Sequence, residues 1–224
     1  FFTFVDGDDT LSSEALERLY HRATSTQADI LLGTLLRCYP NDDCLRMGDK
    51  SVVFTQADTV LSGTECFTSM MNTGCYVPMV CGNLYRTAFV QSSDLHFGAY
   101  YHEDEYFTPF ALFYAKRVAY YNHDFYYYRQ RSGSIMHSSD NLRLRAESLS
   151  IAGNALILFS KNQYEGMETE VRRAYYNQGV QLCRRSQRIY EDMLSTSTRN
   201  CLLVFSKESI AAQYGIGTYI RQLV

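Results

Sequence analysis

Short β-branched and aromatic runs alternate with helix-period runs from Phe1 to about Arg131, and this alternation limits the chain to few architectures. Residues 2–5 read as a buried strand. They end at Asp6-Gly7-Asp8-Asp9, a turn built from polar residues and Gly. Ser12 or Ser13 then caps a helix that carries Glu14 and Glu17 early. Leu16, Leu19, Tyr20 and Ala23 give that helix its apolar face. Residues 30–32 with Gly33 read as a central strand, residues 39–50 as a polar surface loop, and residues 52–54 as a short strand. Ser62-Gly63-Thr64-Glu65 is a capping box, with Cys66, Phe67, Met70 and Met71 on the face of the helix it opens. Residues 82–85 and 95–97 are strand-like. Phe107, Phe110, Ala111 and Tyr114 mark a helix with Thr108 as its cap and Pro109 in its first turn. Residues 118–121 and 125–129 read as two short strands. Such an order predicts an α/β sheet.

The pattern changes near Ser138. From Asn141 onward it is long, helical and free of Pro. Leu142, Leu149, Ile151, Leu156, Leu158 and Phe159 fall in one helix, and Val171, Tyr175, Val180 and Leu182 in the next. The expected organisation is a sheet domain over residues 1–138 and a helical region over 139–224.

Of the 224 residues, 46% are hydrophobic and 20% are charged, enough for a packed core. The formal net charge of -3 argues against a nucleic-acid partner, which needs a basic excess. No apolar run approaches the roughly 20 residues that span a bilayer. The seven Cys form no C-x-x-C pair, and the five His do not sit at zinc spacing from them. They read as reduced, mostly buried thiols of a cytosolic protein.

Asp6-Gly7-Asp8-Asp9 places carboxylates at the end of a strand, where open α/β sheets bind ligands. Carboxylates crowded on one turn repel unless a cation lies between them. Hard divalent ions take such oxygens and bridge to phosphate. The plainer reading is a turn that leads into a helix. A second acidic group, His102-Glu103-Asp104-Glu105, precedes a helical run. It reads either as a negative first turn or as a proton acceptor with its neighbours. Arg129 and Arg131 alternate on a strand and so share a face, where they are solvated charge or phosphate ligands.

Four segments together resemble the GT-A-type family 2 glycosyltransferases. Phe4-Val5-Asp6-Gly7-Asp8-Asp9 resembles that family's metal motif. Val80-Cys81-Gly82-Asn83-Leu84-Tyr85-Arg86 and the Glu103-Asp104 pair resemble its acceptor side. Tyr126-Tyr127-Tyr128-Arg129-Gln130-Arg131-Ser132-Gly133-Ser134-Ile135-Met136-His137 resembles its Tyr-Arg-x-Arg-x-x-Ser-Ile run. The resemblance implies a GT-A-like (Rossmann-like) mixed sheet, incomplete at the N-terminus because the nucleoside-binding units are missing, with a helical C-terminal region. It implies an inverting hexosyltransferase that uses a nucleotide-sugar donor, a UDP-sugar first of all, with Mn²⁺ or Mg²⁺. Asp8 and Asp9, with His137, would hold the metal. Asp6, Asp8, Arg129 and Arg131 would face the donor diphosphate. Asp104 would be the base, with Glu103 beside it. The acceptor would be a glycan or lipid-linked sugar of a bacterial cell envelope. The protein would be cytoplasmic, with peripheral contact on the inner membrane face. An open edge at residues 2–5 would favour a homodimer, and the chain alone would be weakly active or inactive. Two rivals remain. Asp6-Gly7-Asp8-Asp9-Thr10-Leu11 also resembles the first motif of haloacid-dehalogenase-like phosphatases, and the helical region could be a non-catalytic interaction module.

Overall fold

The computed structural model describes residues 1–41, 43–93, 95, 97, 101–130, 141–161 and 167–196. The chain divides into two compact units. The first is Phe1–His96 with Phe107–Ser138, and the second is Phe97–Tyr106 with Ser139–Val224.

The first unit is a mixed sheet with helices. Its centre is a parallel pair, β3 (Ile30–Cys38) and β7 (Val118–Arg129). Residues 30–35 are all buried, as expected of an apolar run inside a sheet. Short antiparallel strands line the outer edges of this pair. β6 (Leu84–Tyr85) and β4 (Cys44–Met47) both pair with β3. β5 (Val60–Leu61) and β2 (Thr10–Leu11) both pair with β7. β1 (Phe2–Thr3) extends the sheet beyond β6, and Phe4 bridges Cys81. α1 (Ala15–Ser25) packs Leu19 and Ala23 into a core with Leu31, Leu35, Met79, Leu84, Phe125 and Tyr126. α2 (Gly63–Thr73) starts at the expected capping box, with Ser62 and Glu65 each binding the other's backbone amide. α3 (Thr87–Ser92) follows β6.

Several expectations are corrected. α1 begins after Glu14, and no side chain caps it; Ser12 contributes only its carbonyl, to Ala15 N–H at 3.0 Å. Leu16 and Tyr20 lie on its outer face, 57% and 54% exposed, because the buried stripe runs through Ala15, Leu19 and Ala23. The polar stretch after residue 39 contains β4, Cys44-Leu45-Arg46-Met47, whose edge position leaves Leu45 57% exposed. Residues 52–54 form a turn, since the Val53 and Phe54 amides both donate to the Lys50 carbonyl. The two short strands at 118–129 are one strand, irregular where Thr34 faces Asp124. Leu95 and Phe97 are in no strand. The first strand is half-buried rather than buried, and it lies at the edge of the described sheet.

Two thiols are oxidised. Cys38 and Cys44 face each other across the β3–β4 hairpin, 4.2 Å apart at Cα, and form a disulfide. Disulfides are rare in reducing compartments, so the thiols no longer argue for a cytosolic protein. Cys66, Cys75, Cys81 and Cys183 are free.

Gly33 interrupts β3 where the backbone of Gly82 crosses it. A Cβ there would lie 2.2 Å from the Gly82 carbonyl oxygen, and only Gly permits that approach. The irregular ladder frees the Gly33 amide and carbonyl. Asn83 Oδ1 accepts from the amide at 3.1 Å, and Lys50 Nζ donates to the carbonyl at 3.0 Å. Lys50 is only 2% exposed and also donates to the Gly48 carbonyl at 2.6 Å. Among the described residues no carboxylate pairs with it, and burial lowers its pKa to about 8.

The second unit is built on α5 (Leu142–Lys161) and α6 (Thr169–Thr196). Leu149, Leu156 and Phe159 of α5 and Val171, Tyr175 and Leu182 of α6 are buried, at i, i+3/i+4 and i+7 spacing. Leu158 is 37% exposed, one position off that stripe. The helix backbones touch at Gly153 and Gly179, where a Cβ on either would lie 2.7 Å from the other's carbonyl oxygen. α4 (Glu103–Tyr114) begins in this unit, and the boundary falls within it, after Tyr106. Because the Glu103-Asp104-Glu105 turn opens α4, Pro109 lies inside the helix and not in its first turn.

Candidate functional site

The acidic turn follows the Phe4 bridge in the first unit. Asp9 N–H donates to the Asp6 carbonyl at 3.0 Å and closes the turn. Asp9 itself is buried. Its Oδ2 accepts from the Tyr126 hydroxyl at 2.6 Å, and its Oδ1 accepts from Arg129 N–H at 2.9 Å. The same Tyr126 oxygen accepts from Asp6 N–H at 3.2 Å. One buried phenol on β7 therefore holds both ends of the turn. Burial raises the Asp9 pKa against the pull of Tyr126 and the Arg129 amide, and the charges of Asp6 and Asp8 push it the same way as burial. Tyr126 is raised in turn by burial and by Asp9, so its hydroxyl keeps its proton and stays a donor. Cys81 is close by, and burial pushes its thiol up to about 12, which leaves it protonated and unreactive.

This arrangement divides the three carboxylates. Asp9 anchors the turn to β7, whereas Asp6 is exposed and Asp8 half-buried. Among the described residues no group of three or more His, Cys, Asp or Glu forms a metal cage. One or two carboxylates on a fixed turn suit a hard cation that takes its other ligands from phosphate and water. Arg129 lies at the end of β7, its side chain exposed and its amide bound to Asp9. Arg131 and His137 lie outside the described residues.

The Glu103-Asp104 pair belongs to the second unit. His102 precedes it with φ 57°, a left-handed conformation uncommon outside Gly. Its carbonyl accepts from Glu105 N–H at 3.1 Å. Glu103 is exposed, Asp104 half-buried and Glu105 buried. Asp104 Oδ1 accepts from Glu105 N–H at 2.9 Å. Burial, then the charges of Glu105 and Glu103, raise the Asp104 pKa to about 7. A helix N-terminus favours the ionised form, and here burial and like charge outweigh it. His102 is shifted down to about 4 by burial and by Arg185 and Arg145, so it is neutral at pH 7.

The roles of two residues are not legible in the sequence. Tyr126 lies in an aromatic run of a strand, and nothing in such a run marks the one hydroxyl that reaches a turn 117 positions away. Glu105 was read only as a third acid in a row. Its burial, with Gln178 and Arg185 as partners, depends on α6 and cannot be read locally.

No family model matches the chain, and no curated protein matches it. Among solved structures it is similar to S. aureus TarS residues 1–349, with a TM-score of 0.46 and 15% identity over 99% of this chain. It spans 55% of that chain. A likeness of this size decides neither fold family nor chemistry. The fold is a mixed α/β sheet with helices. Among the described residues no helix is long and apolar enough to cross a membrane.

Proposed function

We propose that the chain takes part in inverting, metal-dependent sugar transfer from a nucleoside-diphosphate donor. Asp104 carries the reading: a carboxyl whose pKa of about 7 suits a proton acceptor at neutral pH. The Tyr126-anchored acidic turn supports it, since a fixed pair of carboxylates suits a cation shared with a diphosphate.

The acceptor hydroxyl oxygen forms a bond to the anomeric carbon as the bond to the diphosphate oxygen breaks. The hydroxyl proton passes to Asp104, and the electron pair leaves with the diphosphate. Attack from the side opposite the leaving group inverts the anomeric carbon. A divalent cation, when bound, would offset the charge on the diphosphate. Asp8, with Asp6, would hold it, while Asp9 keeps the turn in shape. Arg129 would add positive charge beside the leaving group. A hexose and a cell-envelope glycan or lipid-linked acceptor belong to this proposal as well.

The test is calorimetric titration of pyrophosphate, which needs no nucleoside pocket, and of UDP, each with and without Mn²⁺. Binding should require Mn²⁺, be lost in Asp8→Asn and persist in Asp104→Asn. Binding that ignores both Mn²⁺ and Asp8→Asn would sink the proposal.

A further inference from the structure

The first turn of α4 is tied to α6 by a buried polar bracket. Glu105 is 3% exposed, an unusual place for a carboxylate. Gln178 Nε2 donates to its Oε2 at 3.1 Å, and Arg185 Nη1 donates to its Oε1. Gln178 and Arg185 lie seven positions apart, two turns of one helix, so both reach the same carboxylate. α6 is itself fixed to α5 by the Ser186 hydroxyl, which donates to the Ala146 carbonyl at 2.7 Å. The Glu105 amide bonds Asp104 Oδ1 and the His102 carbonyl. The residue that α6 grips by its side chain therefore grips Asp104 by its backbone.

We infer that Glu105 is a positioning residue for Asp104, and that α6 acts on the Glu103–Glu105 turn through Arg185 and Gln178. This rests on Asp104 being the proton acceptor. The charged groups around the turn are Glu103 and Glu105 on α4, His102 before it, Arg145 on α5 and Arg185 on α6. Burial, with Arg185 and Arg145, keeps His102 neutral, and the like charges beside Asp104 are those of the two glutamates. Arg185 neutralises Glu105 only in part: the Glu105 charge still opposes ionisation of Asp104. The helical region then has a chemical role as well as a packing one. It sets where Asp104 sits and how readily it gives up or takes a proton.

The experiment needs no substrate. The Asp104 carboxyl is titrated by carbon NMR in the full chain, and exchange of the Glu105 amide is followed in the same samples. Glu105→Gln removes one of the two like charges and should lower the Asp104 midpoint by about one pH unit. Arg185→Met should speed exchange of the Glu105 amide about tenfold, and Arg185→Lys should restore much of the protection. An Asp104 midpoint unmoved by Glu105→Gln, or a Glu105 amide unmoved by Arg185→Met, overturns the inference. Lower melting temperatures with both readouts unchanged would mean a packing role only and overturn it too. A chain that answers both readouts as expected yet binds neither pyrophosphate nor UDP with Mn²⁺ separates this coupling, which stands, from the transferase reading, which falls.

Discussion

Tyr126 and Asp104 show how much one side chain can decide. The Tyr126 hydroxyl serves two partners in the acidic turn, and no second hydroxyl among the described residues replaces it there. Tyr126→Phe should destabilise the chain by about 1–2 kcal/mol, because the buried Asp9 carboxylate loses a donor. It should also weaken Mn²⁺-dependent UDP binding about tenfold by loosening the turn; denaturant unfolding and calorimetry check the two effects. Asp104 makes a pH-dependent prediction. Its folded value of about 7 lies above the ordinary 3.8, so the folded chain holds the proton more tightly than the unfolded chain. Well below 3.8 the carboxyl is protonated in both states and the stabilisation is complete. It is lost as pH rises through 7. Asp104→Asn should therefore leave stability nearly unchanged at pH 4 and raise it by about 2 kcal/mol at pH 8, roughly half the full value of the shift. Unfolding midpoints at the two pH values measure this.

At the scale of elements, the helix pair and the hairpin carry separate risks. Gly179→Val would drive a branched side chain into the Gly153 carbonyl and Ile157, both within 2.8 Å of its Cβ. The two helices must separate, at about 2–3 kcal/mol, read as a fall in melting temperature. The Cys38–Cys44 bridge closes a short loop, with a sequence separation of 6. Reduction should lower stability by about 2 kcal/mol, and a Cys38→Ser, Cys44→Ser chain should be indifferent to the reductant. Elements whose determinants are local were legible in the sequence. The Ser62–Glu65 box is four consecutive residues that satisfy one another, and it was read correctly. β4 was not legible, because an edge strand in a hairpin needs no apolar alternation. The turn at 51–54 was missed because apolar Val52, Val53 and Phe54 look like a strand until the Lys50 carbonyl claims two of their amides. The start of α4 was ambiguous between a Pro109 in the first turn and the acidic group, and the structure takes the acidic group.

At the scale of the molecule, the change of pattern near Ser138 was visible because long Pro-free helical periodicity differs from short alternating runs. The passage of the 97–106 segment into the helical unit was not visible. It depends on Glu105 meeting residues some 80 positions later, and no local pattern encodes a partner at that distance. Lys50 has a consequence of the same global kind. Its amine lies sealed under the sheet, both its bonds end on carbonyls, and near pH 8 about half of it carries no proton. Such a group is a masked nucleophile. Acylating reagents can consume it only when the surrounding structure opens, so its labelling rate, set against that of exposed Lys116, counts those openings directly. Slow labelling at Lys50 that accelerates in step with added denaturant is the expected outcome, and labelling as fast as that of Lys116 would show that the seal does not exist.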